Sequence, residues 1–159
     1  MIDETDREIL QIVQENARTS NAEIARRIGM APSAVFERLR KLEDRGILTE
    51  FPARLDARKL GLGVVAFVFV TTDVRILGIE TGHRLAEIPE VQEVHHTAGE
   101  DCYLLKVRTR DTAALGKLLH EKVGVIPSVR STRTTIVLET VKESIRLPLG
   151  DDVIGKPHD

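Results

Sequence analysis

The first fifty residues carry apolar positions at helical spacing, separated by short polar breaks, and this pattern predicts three helices. Asp3 caps the first helix, which has one apolar face and ends between residues 16 and 19. Ser20 with Glu23 three residues later predicts the start of a second helix, and Gly29 its end. The apolar positions of these two helices are Ile9, Ile12 and Val13, then Ile24, Ala25 and Ile28.

A third helix follows after a short turn. Pro32 suits its first position because the proline φ is already helical, and Gly46 marks its end. Its buried stripe, spaced i, i+4, i+7, is Val35, Leu39 and Leu42. Two short helices joined by a tight turn, the second basic on its outer face, form the arrangement that docks a helix into the DNA major groove. Residues 20–46 therefore predict a helix-turn-helix.

The outer face of the third helix carries side chains that suit DNA. Arginine and lysine donate to guanine edges or phosphates, serine can position a phosphate, and glutamate can accept from cytosine N4. Arg38 and Arg40 point in different directions, so we expect one to approach bases while the other, with Lys41, contacts the backbone. The candidate DNA-binding residues of this helix are Ser33, Ala34, Glu37, Arg38, Arg40 and Lys41.

Two residues of the third helix keep a second interpretation. Glu37 is either a base contact or the i, i+4 partner of Lys41. Phe36 either touches thymine methyl groups or joins the apolar core.

The chain after Gly46 predicts a small hairpin over residues 47–56, with Pro52 at the turn between two extended pieces. A hairpin directly after a recognition helix is typical of the wing of a winged helix, where Arg54 would contact phosphate. The alternative is a plain surface linker with a solvated arginine.

The net charge of -2 hides an uneven distribution of charged residues along the chain. Residues 1–25 hold two basic residues against six acidic ones, whereas residues 26–59 hold nine basic residues against five acidic ones. Because salt screens charges beyond about 8–10 Å, a local basic patch matters more for phosphate binding than the overall sign. A solvated helix face is the alternative explanation of the charge alone.

Composition predicts a cytoplasmic globular protein. A hydrophobic content of 42% and a charged content of 30% are ordinary for this class. The single cysteine, Cys102, leaves no internal disulfide to form and fits a reducing compartment. The amino terminus is acidic rather than basic and apolar, and no apolar run approaches the roughly 20 residues of a membrane span.

The pattern changes character after the glycines of residues 61–63. It predicts strands at 64–70, 91–97, 103–109 and 129–140, with helices at 77–88 and after Asp111. The order βαββαβ is that of a ferredoxin-like sandwich, a four-stranded antiparallel sheet with both helices on one face. The predicted fold class is therefore α+β, with domains at 1–60 and 61–146 and a C-terminal tail at 147–159.

Specific motifs in both halves resemble the Lrp/AsnC family, also called feast/famine regulators. In the first half they are Asp-Glu-Thr-Asp-Arg-Glu-Ile-Leu at 3–10, Ala-Pro-Ser-Ala-Val at 31–35, Arg-Leu-Arg-Lys-Leu-Glu at 38–43 and Gly-Ile-Leu at 46–48. In the second half they are Ile-Pro-Glu-Val at 88–91, Ala-Gly-Glu-Asp-Cys-Tyr-Leu-Leu-Lys-Val at 98–107 and Ser-Thr-Arg-Thr-Thr-Ile-Val-Leu at 131–138. The resemblance covers residues 2–146.

This resemblance implies a transcription factor that joins a winged helix-turn-helix to an ACT-like effector-binding domain. It implies double-stranded DNA as a partner, a homodimer formed through the sheet that often assembles further, and a small effector, usually an amino acid, bound between subunits. The effector turn is then Gly99, Glu100, Asp101 and Cys102. Thr132 and Thr134 would approach this turn from a neighbouring subunit.

The chain departs from the family pattern at that turn. Many relatives read Gly-acidic-Tyr-Asp-Tyr, whereas this chain has Asp101 and Cys102 before Tyr103. A carboxylate that could bind an amino group has therefore moved by one position along the chain. In a strand, a move of one residue places the side chain on the opposite face of the sheet. Ala31 also stands where relatives often have Ser or Thr as the cap of the third helix.

The sequence gives little support for a catalytic site or a metal-binding site. Cys102 with a histidine of the preceding strand would make a nucleophile and a base, but no oxyanion donor or orienting third group accompanies them. His95 and His96 are adjacent on a strand and face opposite sides, so they cannot hold one ion together. We expect no enzymatic activity, no cofactor and no metal.

Two functions remain open. The first is a DNA-binding regulator whose assembly or DNA binding changes when a small effector, an amino acid by resemblance, binds. The second is an architectural DNA-binding protein that acts independently of any metabolite, with the ACT-like domain serving only assembly.

Overall fold

A computed structural model describes residues 2–73, 79–99 and 102–150. The chain divides into two compact units. The first unit contains the residues up to Arg54 together with the chain from Glu143 onward, and the second contains Leu55–Lys142. The chain therefore leaves the first unit once and returns to it. None of the helices within the described ranges has the length and apolar character needed to cross a membrane.

Three helices form the first unit: α1 (Glu4–Glu15), α2 (Asn21–Ile28) and α3 (Pro32–Asp44). The Asp3 side chain accepts a 2.7 Å hydrogen bond from the Asp6 N–H and so caps α1, as expected. The Ser20 hydroxyl accepts from the Glu23 N–H at 3.2 Å and caps α2. Gly29 ends α2 with φ 69, in the left-handed region that glycine adopts without strain.

The apolar stripes of the three helices meet in one small core, as their spacing predicted. Five of its residues are buried, and five more pack against them partly exposed. The buried members are Ile9, Val13, Ile24, Ala25 and Val35, and the partly buried ones are Ile12, Ile28, Met30, Leu39 and Leu48.

The predicted hairpin over residues 47–56 is wrong, because no strand forms between the end of α3 and Val64. Leu48 packs against the core of the first unit, but Phe51 is 48% exposed and Leu55 is 71% exposed, so the residues on both sides of Pro52 bury no common apolar face. An isolated two-stranded hairpin is marginal in water without such burial, and Pro52 has no N–H to contribute to a ladder. Arg54 therefore lies on a connection without regular secondary structure and not on a β-hairpin.

The second unit is built on a four-stranded antiparallel sheet in the order β2-β3-β1-β4. Its elements are β1 (Val64–Thr72), α4 (Ile79–Ala86), β2 (Val91–His96), β3 (Tyr103–Thr109), α5 (Thr112–Lys117), a π-helical segment (Leu118–Val123) and β4 (Val129–Ile136). This confirms the predicted βαββαβ order. Leu77 and Gly78, which we assigned to the first helix of this unit, lie outside the described residues.

The strand register places predicted core positions on one face of the sheet. Val70 of β1 lies between Tyr103 of β3 and Thr132 of β4, and residues paired in this way point to the same face. The helices cover that face, and the core there includes Ala66, Val68, Val70, Leu85, Leu105, Val107, Leu115, Leu118 and Val123. On the opposite face the Arg133 guanidinium lies 4.0 Å from the centre of the Phe69 ring.

The last strand is shorter than predicted, ending at Ile136 rather than at residue 140. The Val137 N–H still donates to the Val65 carbonyl at 2.9 Å, but β1 begins at Val64 and offers no further partner. Leu138 is 96% exposed. The predicted strand was therefore too long, because apolar residues continue along the chain past the point where β1 ends as a neighbour.

The caps of α2 and α3 make a matched pair for a stability test. Ala31 holds the extended backbone of a cap residue but offers no side-chain hydrogen bond to α3. Ala31→Ser should raise the free energy of unfolding by about 1 kcal/mol, and Ser20→Ala should lower it by a similar amount. Urea unfolding of both variants measures the difference, and an Ala31→Ser protein no more stable than the parent would contradict this account of the α3 cap.

Candidate functional site

The face of α3 opposite its buried side is polar and exposed. At about 100° of rotation per residue, Ser33, Glu37 and Arg40 fall within about 60° of one another, nearly opposite Val35. All three are exposed, and Lys41 lies beside them. We call Ser33, Glu37, Arg40 and Lys41 the outward face of α3.

The two cations of the outward face are not held by strong internal partners. Arg40 has 63% of its side chain exposed, and its Nε lies 3.9 Å from an Asp44 carboxylate oxygen, at the limit of an ion pair. Lys41 has no ion-pair partner among the residues that the structure describes, so the Glu37–Lys41 pair that the spacing allowed does not form. Both cations are available to a ligand outside the protein.

Phe36 is 53% exposed, so the interpretation of this ring as part of the core is wrong. Its position on the helix lies next to that of Arg40 when viewed along the axis. A contact between Phe36 and thymine methyl groups stays a prediction. Ala34 is partly buried on the other flank of α3.

Arg38 points toward α1 and not outward. Its Nη1 donates to Asp3 Oδ2 and to Asp6 Oδ1, each at 2.7 Å, and 31% of its side chain is exposed. Asp6 itself is buried, with 8% of its surface exposed. The guanidinium therefore connects α3 to the first turn of α1, a place that differs from the DNA contact we expected for it.

The electrostatics of this cluster keep it charged. The pKa of Asp3 is lowered from its usual value, first by the hydrogen bond from the Asp6 N–H and then by the one from Arg38. The pKa of Arg38 is raised by its hydrogen bonds to Asp3 and Asp6. The sequence revealed only the cap in this arrangement, because nothing local connects residue 38 with partners 35 and 32 positions away.

Some of the basic residues counted in the local charge are paired inside the first unit. Arg26 Nη2 lies 2.7 Å and Arg27 Nε 2.9 Å from Glu23 Oε1. These hydrogen bonds, the one from Arg26 first, lower the pKa of Glu23 to about 2. Arg54 is 75% exposed and lies 3.8 Å from Glu143, so this ion pair restrains the arginine side chain only weakly.

The predicted effector turn connects β2 to β3. The Thr97 N–H donates to the Cys102 carbonyl at 2.9 Å and closes the turn, and Gly99 has φ 133, a conformation that requires glycine. Cys102 is partly buried and packs against the core of the second unit. Glu100 and Asp101 lie outside the described residues.

The register brings Thr132 to the same end of the sheet as this turn. Tyr103, which follows the turn, pairs with Val70, and Val70 pairs with Thr132. Since adjacent strands are about 4.8 Å apart, Thr132 lies about 10 Å from Tyr103 across β1. Thr134 is two residues further along the strand, paired with Val68. Within one subunit β1 therefore lies between Tyr103 and the strand of the two threonines.

Tyr103 and Gly82 form a close contact that our sequence reasoning missed. A Cβ on Gly82 would lie 3.1 Å from the Tyr103 ring, so only glycine lets α4 approach this side chain without displacement. The His96 ring lies 5.0 Å from the Tyr103 ring, centre to centre, and Tyr103 is 9% exposed. A glycine inside a predicted helix was the only signal of this contact.

The two histidines of β2 contact different neighbours. His95 Nε2 lies 3.2 Å from Glu93, whose other oxygen is 3.0 Å from Lys106 Nζ, while His96 faces Tyr103. Hydrogen bonds from His95 first and Lys106 second lower the pKa of Glu93. Within residues 2–73, 79–99 and 102–150, no group of three or more His, Cys, Asp or Glu side chains is arranged to hold a metal ion.

Comparison with known proteins identifies both units. Residues 2–49 match a family model described as winged helix-turn-helix DNA-binding, and residues 65–147 match one described as Lrp/AsnC ligand binding domain. The HTH-type transcriptional regulator FL11 of Pyrococcus horikoshii is 36% identical over 93% of this chain and 97% of its own. The leucine-responsive regulatory protein of Escherichia coli is 36% identical over 92% of this chain and 90% of its own.

A solved structure agrees with these matches. A transcriptional regulator of Neisseria meningitidis, crystallised as a complex with L-Met, superposes with a TM-score of 0.87 and is 29% identical, covering 97% of this chain and 100% of its own.

Replacing Arg38 tests the cluster at the base of α3. Arg38→Ala should lower the free energy of unfolding at neutral pH by about 1–3 kcal/mol, because it removes charge-assisted hydrogen bonds and leaves the buried Asp6 without them. Arg40→Ala, which removes an exposed arginine from the same helix, is the control and should change stability little. Urea unfolding at pH 7 measures both.

The same cluster predicts a pH dependence. The folded-state pKa of Asp3 lies below its usual value of 3.8, so its contribution to stability is present above about pH 4 and is lost as pH falls through the folded pKa. The stabilities of the wild type and of Arg38→Ala should therefore converge as pH falls from 5 toward 2. A difference that stayed constant over this range would show that the ion pair is not its source.

Proposed function

The chain belongs to the Lrp/AsnC family of DNA-binding transcriptional regulators with a ligand-binding domain, and from this we propose that it is a cytoplasmic regulator that reads operator DNA with the outward face of α3 and responds to an amino acid. The observation that carries the DNA assignment is the pair of available cations there, Arg40 and Lys41, beside Ser33 and Glu37. In a helix-turn-helix this helix enters the major groove.

The roles within the interface follow from the donors of each side chain. Arg40 is the candidate for base edges because a guanidinium can donate to two acceptors of one guanine, whereas Lys41, on the other margin of the outward face, suits phosphate. Ser33 and Ala34 lie in the first turn, where Ser33 can contact phosphate. Arg54 contacts phosphate from the connection after α3. Arg38 supports these contacts by holding α3 on α1.

Charge removal from the outward face tests this assignment. Arg40→Ala with Lys41→Ala should weaken DNA binding by at least about tenfold at moderate salt and reduce the slope of log affinity against log salt by about 2. Arg110→Ala with Lys117→Ala removes the same charge from exposed positions of the second unit and is the matched control. Binding to DNA selected by the wild-type protein is measured by fluorescence anisotropy at several salt concentrations.

The outcome distinguishes the outward face from the protein's general charge. Equal losses in both double variants would sink the recognition-helix assignment. Arg38→Ala, measured beside them, should lower affinity without changing the salt slope, because its cation is already paired inside the protein.

An amino-acid effector is supported by the relatives. One relative is named a leucine-responsive regulatory protein, and one similar structure was solved with L-Met. We propose that the ligand binds at the turn of Gly99, Glu100, Asp101 and Cys102, with Thr132 and Thr134 supplied by a second subunit. Because the turn and the threonines are separated by β1 within one subunit, a complete site needs a homo-oligomer.

A thermal-shift screen against the twenty amino acids tests the effector. A ligand that binds only the native state stabilises it by about 2.7 kcal/mol at one hundred times its Kd, so the matching amino acid should raise Tm by several degrees. Thr132→Val should reduce that rise, and Thr135→Val, on the opposite face of the same strand, should not. If no amino acid changes either Tm or DNA binding, the protein acts as the metabolite-independent architectural alternative.

A further inference from the structure

The exposed side of α1 holds a second segment of chain by its backbone. Gln11 Nε2 donates to the Leu149 carbonyl at 3.0 Å, and Gln14 Nε2 donates to the Leu147 carbonyl at 3.3 Å. The Leu147 N–H in turn donates to Gln14 Oε1 at 2.7 Å. Gln11 and Gln14 are three residues apart and so share one helix face, from which their amides reach main-chain carbonyls two residues apart on the C-terminal segment.

A charged contact extends this docking to the end of α1. Arg146 Nη2 donates to the Glu15 carbonyl at 3.3 Å, in the last turn of the helix. The last turn of α1 has no basic residue of its own, and a cation there is favourable because the helix dipole leaves the carbonyl end negative. Arg146 supplies that cation from the C-terminal segment.

Side-chain burial contributes little to holding the segment. Ile145 is 80% exposed and Leu147 is 69% exposed. Hydrogen bonds to the main chain, the Arg146 contact and the 3.8 Å ion pair between Glu143 and Arg54 therefore account for the docking, and such contacts at a surface can open and close readily.

The docked segment changes how the first unit is connected to the second. The chain first passes from the first unit to the second at Arg54–Leu55. This connection is short, because the Leu48 N–H donates to the Leu42 carbonyl at 3.1 Å on one side and the Leu62 N–H donates to the Ala57 carbonyl at 2.8 Å on the other. Val137, the last residue bonded to β1, and the docked Leu147 are joined by ten steps, at most about 33–36 Å. Docking therefore adds a second connection between the first unit and the sheet, whereas release of the segment would leave only the first.

We propose that the face of α1 formed by Gln11, Gln14 and the Glu15 carbonyl is a docking surface for the chain's own segment 143–149, and that this second connection determines which half-site separations an oligomer can bind. The role in spacing rests on the proposed DNA-binding function. The docking itself does not. Binding to one half-site needs only one copy of α3. Binding to two half-sites also requires that two copies of α3 reach sites at a given separation.

The docking is tested by protease sensitivity. Trypsin can cut after Lys142, which precedes the docked segment, and after Arg146, which lies within it. In the wild type, cleavage after Arg146 should be at least about tenfold slower than after Lys142, and in Gln11→Ala with Gln14→Ala the two rates should fall within about threefold. Glu8→Ala, an exposed position on the same helix, is the control and should behave as the wild type. Equal rates at both sites in the wild type would overturn the docking.

The spacing role is tested with DNA duplexes that carry two copies of a half-site selected by the wild-type protein. Their separation is varied in single base pairs across one helical turn of about 10 bp. Wild-type affinity should vary at least about tenfold across the series, and Gln11→Ala with Gln14→Ala, or a chain ending at Lys142, should show less than about threefold variation. Affinity for a duplex with one half-site should be the same in all three proteins.

Each result leads to a definite conclusion. An unchanged spacing profile in both altered proteins would overturn the spacing role, even if trypsin shows that the segment has been released. If the wild type selects no half-site at all, the proposed DNA-binding function fails instead, and the trypsin rates alone decide whether the docking exists.

Discussion

The three helices of the first unit depend on burying one shared set of side chains. With 12, 8 and 13 residues, α1, α2 and α3 are too short to be stable alone in water, where isolated helices need about 12–15 residues even to be marginal. Ile9, Ile24 and Val35, each completely buried, are where the helices meet. Because Val35 must face that core, the opposite side of α3 must face away from it. The outward face is thus a consequence of packing as well as of its own residue types.

Packing orients α3 through Val35, and Arg38 supplies a second constraint. Leu39 on α3, like Ile12 on α1 and Ile28 on α2, is only partly buried. Arg38 lies on the flank of the buried stripe of α3 and reaches two carboxylates that are themselves fixed by the cap of α1. Arg38 bridges both because the two N–H groups of one nitrogen, Nη1, donate to different carboxylates. The cap of one helix therefore helps to orient another.

What could be predicted from the sequence is what depends on neighbouring residues. Asp3 and Ser20 as caps, Gly29 as a stop and the alternating β1 and β3 strands all reflect contacts within a few positions along the chain. The errors concern contacts between distant segments. The expected hairpin at Pro52 failed because no surface covers Phe51. The pairing of Arg38 with partners 35 and 32 residues away was not visible in the sequence either, and its DNA contact stays a prediction. The length of β4 depended on where β1 begins, which its own residues do not indicate.

The internal pairing of Arg38 also bears on how a chain with a net charge of -2 can attract phosphate. Asp3 and Asp6 lie against the flank of α3, within the 8–10 Å over which charges act at ordinary salt, and unpaired they would repel DNA there. Arg38 offsets part of that negative charge through its ion pairs with both carboxylates. Arg40 and Lys41 then act in a field that opposes them less. A basic residue can thus support DNA binding without touching DNA, by cancelling the acids that the helix cap requires.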